Sequence, residues 1–259
     1  MYWLRAIVVI VFWTCLDVVD VASQTITRRE LLRGELGRVY FSERSIYLTL
    51  QLRSPVIGVQ EGQIVHYNRT AVRYAEFGQI LHPKERTVTQ TDHHGNRLRT
   101  LKYGKANHLY TLRAGKGRTQ YFTEVGLKNF VGVAWQYRFG ATLGLVKPHY
   151  VILRIHEDGA DYTDLIRYSP ETADIFLDRT KLVGDAPVWK GVDEIQLIPG
   201  VHASTSMHMS FKSHTKVVMF VEAGLRVDAL LKPVLLMAER PPSALFANLF
   251  LTLHIGKRS

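Results

Sequence analysis

A chain of 259 residues, 46% of them hydrophobic and 22% charged, can bury a sizeable core, which excludes a disordered polymer. The formal charge of +10 favours acidic partners such as sulfated glycans, anionic surfaces or acidic proteins, and makes nucleic acid a poor match for a chain marked for export. The single cysteine, Cys15, falls in a stretch expected to be removed, so a catalytic thiol, thiolate metal sites and disulfides are excluded from the mature chain.

That stretch comes first. Met1 to Arg5 is a short basic lead, Ala6 to Leu16 is apolar, and Val21-Ala22-Ser23 places small residues before Gln24, the pattern of a secretory signal peptide over residues 1–23. The apolar run is shorter than the ~20 residues of a spanning helix. The expectation is a secreted protein with no stable membrane span after cleavage. Removing Arg5, Asp17 and Asp20 with the signal raises the charge from +10 to +11.

Residues 24–144 read as a β-rich basic region. After a lead-in over 24–37, strand-like alternation covers 38–41 and 45–52, where Ile46, Leu48 and Leu50 alternate with Tyr47, Thr49 and Gln51. Asn68-Arg69-Thr70 is an N-glycosylation sequon. From His82 to Arg118 basic residues crowd together, with Arg97, Arg99, Lys102, Lys105, Arg113, Lys116 and Arg118 forming a candidate binding patch. Turn signals at His94-Gly95-Asn96, Tyr103-Gly104-Lys105 and Ala114-Gly115-Lys116-Gly117 predict a meander of hairpins with basic tips. Such tips suit sulfate, phosphate or sialate oxygens; equally, they suit solvated strand edges. Glycine-punctuated, aromatic residues 125–147 contain neither a phosphate loop nor a dinucleotide fingerprint.

Residues 145–259 carry the sharper pattern. Val151, Leu153 and Ile155 alternate with Ile152, Arg154 and His156, and further strands are predicted at 162–168, 174–179, 194–198, 207–212, 216–222, 234–238 and 245–255. A hairpin turns at Ser213-His214, and Ala223-Gly224 offers the backbone for another tight turn. Leu245, Ala247, Leu249, Leu251, Leu253 and Ile255 share one face. Seven or more strands with regular turns predict an all-β fold, an antiparallel β-sandwich of the jelly-roll or concanavalin type.

The succession from Val151 to Gly159, Tyr162 to Tyr168 and Pro170 to Lys181, with Asp178-Arg179-Thr180 as its most specific element, resembles the C-terminal β-sandwich of glycoside hydrolase family 32, the invertase, inulinase and levanase family. Val217, Phe220 and Gly224 match that family's closing strands, whereas Val218, Glu222, Ser213 and His214 depart from it. The likeness covers residues 145–255. The motifs of the family's catalytic propeller are absent, and five blades cannot fit between Gln24 and Gly144. The resemblance therefore implies the accessory sandwich without its enzyme.

Other constellations have plain structural readings. Asp158, Asp161 and Asp164 flank a turn, and Asp178-Arg179 reads as a structural ion pair. His202, Met207, His208, Met209 and His214 suggest copper ligands, but Met207, Met209 and Phe211 fall on one strand face and His208 on the other, so no copper site converges, and the methionines read as core. No catalytic residue, metal or cofactor is assigned. The leading function is a secreted, non-catalytic carbohydrate-binding module. The alternatives are a truncated glycosidase acting on fructosides, and an extracellular or surface interaction protein binding acidic partners through its basic patch.

Overall fold

Eight strands of alternating residues hydrogen-bond in sequence around a ring and close on themselves, all antiparallel. The computed structural model describes residues 42–51, 54–66, 68–91, 97–122, 132–157, 160–178, 182–211 and 217–258, all within one compact unit, Tyr40–Ser259. The expected signal peptide, the strand at 38–41 and the turns at His94-Gly95-Asn96 and Ser213-His214 lie outside these residues. The ring is built from β1 (Ser42–Gln51), β2 (Ser54–His66), β3 (Arg69–Ile80), β6 (Asn107–Tyr121), β7 (Gly132–Pro148), β11 (Gln196–Phe211), β12 (Val217–Val234) and β13 (Ser243–Arg258). Between them lie β4 (Thr87–Thr91), β5 (Arg97–Lys102), β8 (Tyr150–Glu157), β9 (Ala160–Arg167), β10 (Leu182–Asp185) and one short helix, α1 (Ala173–Phe176).

The register fixes the barrel's stagger. Arg44 pairs with Glu61, and the row continues through Arg73, Lys116, Phe139, Ala203 and Val227 to Ala247. On β13, positions 258 and 251 face 43 and 50, so Ala247 meets the pairing line of β1 at position 54, ten residues above Arg44. Eight strands with this stagger tilt by roughly 40° and leave an interior just wide enough for side chains.

The fold is all-β, as expected, but it is a closed barrel and the sandwich expectation is corrected. Alternation is equally consistent with either architecture, because period two marks faces without saying which one meets water. The resemblance to the family 32 sandwich is corrected with it. Within residues 145–255, β11, β12 and β13 complete the same ring as β1, β2 and β3.

Two turn expectations fail for a shared reason. Gly115 and Gly117 lie inside the continuous β6, and Gly224 inside β12. A Cβ at Gly115 would stand 2.2 Å from the Phe139 carbonyl, and one at Gly224 would stand 2.2 Å from the Thr205 carbonyl. These glycines permit close approach of neighbouring strands and do not reverse the chain. The predicted strand at 174–179 is likewise corrected to α1, whose Phe176 is buried.

The barrel's two ends differ. At one end, residues 81–106, 149–195 and 235–242 join the strands and carry a small β4–β5 sheet and a β10–β8–β9 sheet, here called the rim. At the other end the β2–β3 connection is only residues 67–68, and both β1's start and β13's finish lie there. The rim has its own core of Leu101, Val151, Leu153, Phe176 and Leu182.

Candidate functional site

Strand alternation turns the barrel inside out relative to a water-soluble domain. On β13, Asn248, Phe250, Thr252 and His254 are buried inward, while Leu249, Leu251, Leu253 and Ile255 point outward with exposures of 66, 50, 42 and 53%. The pattern repeats on β1, where Tyr47 and Thr49 are buried and Ile46, Leu48 and Leu50 are exposed. It repeats on β12, with Phe220, Glu222, Arg226 and Asp228 inside against exposed Val217, Met219 and Leu225. Met207 and Met209 do separate from His202 and His208 on β11, but the methionines face outward and the histidines inward. The expectation that the methionines fill a core is corrected.

The lumen holds three buried cations and three buried carboxylates, four of them in one cluster and Arg138 with Glu222 as a pair. Arg113 donates through Nε to Asp228 Oδ1 at 2.6 Å and through Nη2 to Oδ2 at 3.0 Å, and through Nη1 to Glu76 Oε1 at 3.2 Å. Glu76 also accepts from Arg226 Nη2 at 3.0 Å and from the Tyr47 hydroxyl at 3.0 Å. Arg138 donates to Glu222 Oε2 at 3.0 Å. Its guanidinium lies 5.2 Å from the Tyr74 ring centre and 5.7 Å from that of Phe250. Buried charges persist only when paired, and here each has an opposite charge beside it, although Arg138 Nε and Nη1 and Arg226 Nε make no hydrogen bond with any described residue.

Histidines complete the packing. His208, Phe220 and His254 stack with ring centres 4.1 Å apart at each step, and His208 and His254 approach Glu222 Oε1 at 3.5 and 3.4 Å. His202 bridges the Tyr74 hydroxyl at 2.5 Å and Thr142 Oγ1 at 2.8 Å. Toward the rim the lumen turns apolar, and Ile80, Leu109, Val146, Ile198, Leu230, Val234 and Leu236 pack into one cluster. The interior is thus a polar core capped by an apolar plug. Among the described residues no His, Cys, Asp and Glu side chains form a metal-binding group, and no helix is long and apolar enough to cross a membrane.

Buried polar contacts hold the rim's own segments to one another. Lys105 Nζ meets Glu85 Oε1 at 2.6 Å, with burial pulling the ammonium below its usual pKa and Glu85 opposing that shift. Asp185 accepts from the Lys102 backbone N–H at 2.9 Å and lies 3.1 Å from His149 Nε2. Gly104, at φ +68, makes the turn that lets its carbonyl accept from the Ala238 N–H at 2.8 Å. A cleft of about 580 Å³ opens at the seam, bordered by Asn107, Tyr168, Gln196 and the Arg167–Glu194 ion pair.

The seven residues of the candidate basic patch are distributed over three places. Arg97, Arg99 and Lys102 stand on β5 in the rim, the side chains of the first two outside the described residues, and Lys105 is buried beside Glu85. Arg113 is in the lumen. Lys116 and Arg118 share the outward face of β6, opposite Arg73 and Ala71 of β3. Asn68 sits in the β2–β3 turn, where its carbonyl accepts from the Tyr121 N–H at 2.9 Å. Sequence reasoning missed the lumen acids Glu76, Glu222 and Asp228. The signal lay in charged residues at alternate positions of otherwise apolar strands, as in Glu222, Arg226 and Asp228.

No protein-family model matches the chain, and no curated protein does. Among solved structures, Ail, the attachment invasion locus protein of Yersinia pestis, is similar over 85% of this chain and 100% of its own, with TM-score 0.40 and 8% identity. Neisserial surface protein A is similar over 84% and 94%, with TM-score 0.37 and 8% identity. The N-terminal β-barrel domain of Pseudomonas aeruginosa OprF covers 84% and 96%, with TM-score 0.34 and 9% identity. None of these is a family 32 hydrolase. The carbohydrate-binding reading and the fructosidase alternative both rested on the sandwich resemblance, and both are corrected by the closed ring.

Proposed function

We propose that this protein is a β-barrel membrane protein of the outer-membrane type, which anchors the rim at the envelope surface as an interaction platform. One observation carries the reading: midway along the wall the charged Glu76, Arg113, Arg138, Glu222, Arg226 and Asp228 face the lumen, while a belt of large apolar side chains faces outward. In water such a belt would be an aggregation liability far beyond the few hundred Å² of apolar patch that monomers expose. In lipid the closed ring pairs its backbone groups and presents hydrocarbon to hydrocarbon. The outward run from Leu245 to Ile255, tilted by roughly 40°, matches an apolar band about 25 Å tall.

Orientation follows from the unequal ends. Barrels of this kind have short turns on the inner side and longer loops outside, which puts the rim outward. This reading departs from the expectation of a secreted protein with no stable membrane span, which rests on helix length alone, because strands cross by a different pattern. The packed lumen and its apolar plug favour an anchor over a pore.

The test is refolding. Diluted from urea into phosphatidylcholine vesicles, the full chain is expected to gain β-sheet circular dichroism and a heat-modifiable gel mobility. Diluted into buffer alone, it is expected to aggregate. A monomeric, folded, lipid-free protein in buffer would overturn the proposal.

A further inference from the structure

The apolar belt is not uniform, and its interruption follows the pairing register. Going down the outward face of β2, Ile57 and Val59 give way to Glu61; on β3, Phe77 and Ala75 give way to Arg73; on β6, Leu112 and Ala114 give way to Lys116 and then Arg118. Val59, Ala75 and Ala114 are paired neighbours in one row, and Glu61, Arg73 and Lys116 in the next. The border between apolar and charged surface therefore runs along a single line across three strands. On β7, which flanks β6, the same level stays aromatic: Phe139 pairs with Lys116, Tyr137 with Arg118 and Trp135 with Gln120.

The charges beyond this border are unbalanced. Glu61 is occupied by Arg44 at 3.0 Å, and Arg69 donates to Gln120 at 2.9 Å. The side chains of Arg73, Lys116 and Arg118 make no hydrogen bond or ion pair with any described residue. Cations on a lipid-facing wall cost about 2–4 kcal/mol at the midplane and close to nothing at the interface, where they meet headgroups. A second feature selects among anionic ligands. Directly above the cations Ala75, Ala114 and Ala141 are paired side by side, with bulkier Phe77, Leu112 and Leu143 beyond them. The small residues leave a shallow apolar trough leading to the three charges.

From this juxtaposition we infer that Arg73, Lys116 and Arg118 form a headgroup site for an anionic phospholipid of the leaflet nearest the short-turn end, its acyl chain lying along the alanine trough. A soluble acidic peptide or free phosphate has no use for the trough. The inference rests on the membrane reading above, and its test separates the two.

Trp135, two positions from Tyr137 on the same outward face, is the reporter. In the full chain, Trp3, Trp13 and Trp189 are changed to Phe, and the protein is folded into phosphatidylcholine vesicles containing equal mole fractions of brominated phosphatidylglycerol or brominated phosphatidylcholine. Stronger quenching by the anionic lipid is expected, equivalent to a relative binding constant of about five, the effect of one surface cation. That excess should vanish in R73Q/K116Q/R118Q and fall in K116Q alone, which keeps the test sound if the triple variant folds poorly. Equal quenching by both lipids, or an excess that survives K116Q and the triple substitution, overturns the site while leaving the membrane reading intact. No quenching by either lipid overturns both.

Discussion

At the scale of single residues, Glu76 is the hinge of the lumen. It is fully enclosed and joined to Arg113, Arg226 and Tyr47. Glu76→Ala strands the buried Arg226 guanidinium and leaves Arg113 with Asp228 alone, and breaking a buried pair this way costs about 3–5 kcal/mol. Urea unfolding of the vesicle-bound protein should show that loss, with Glu76→Gln losing less because it still accepts hydrogen bonds. An Ala variant within about 0.5 kcal/mol of the parent would mean that water reaches these arginines. Such pairings were not legible beforehand. Arg113 in a run of cations looks like surface, and only the closure of the ring brings Asp228 of β12 against it.

At the scale of elements, the strands themselves were legible and their facing was not. The alternation of Leu245 to Ile255 marks β13 correctly, but a period of two reads the same whether the apolar face meets lipid or core. Glycines misled for a related reason: at Gly115 and Gly224 they relieve contact between adjacent strands, a demand that arises from a partner distant in sequence. The rim behaves as a separate element. It has its own apolar cluster, and its segments are knit together by Lys105 with Glu85 and by Asp185 with the Lys102 N–H. Lys105→Ala removes the ammonium from beside Glu85, so limited proteolysis should cut residues 81–106 and 149–195 at least about tenfold faster, while the barrel strands stay resistant. Equal protection of the rim in parent and variant would show that this ion pair does not hold it.

At the scale of the whole molecule, what surrounds the barrel decides everything else. Composition could not reveal this, because a barrel with an apolar exterior and a charged interior has the same mean hydropathy as a soluble domain with those faces exchanged. Leu251 lies near the middle of the outward run of β13 and is half-exposed. In water Leu251→Arg would be an ordinary surface change, within about 0.5 kcal/mol. At the centre of a bilayer the same change costs about 2–4 kcal/mol. The folding free energy of Leu251→Arg in phosphatidylcholine vesicles therefore decides between lipid and water around the ring: a loss of about 2–4 kcal/mol is expected for a membrane-spanning barrel, and a loss near zero would contradict it.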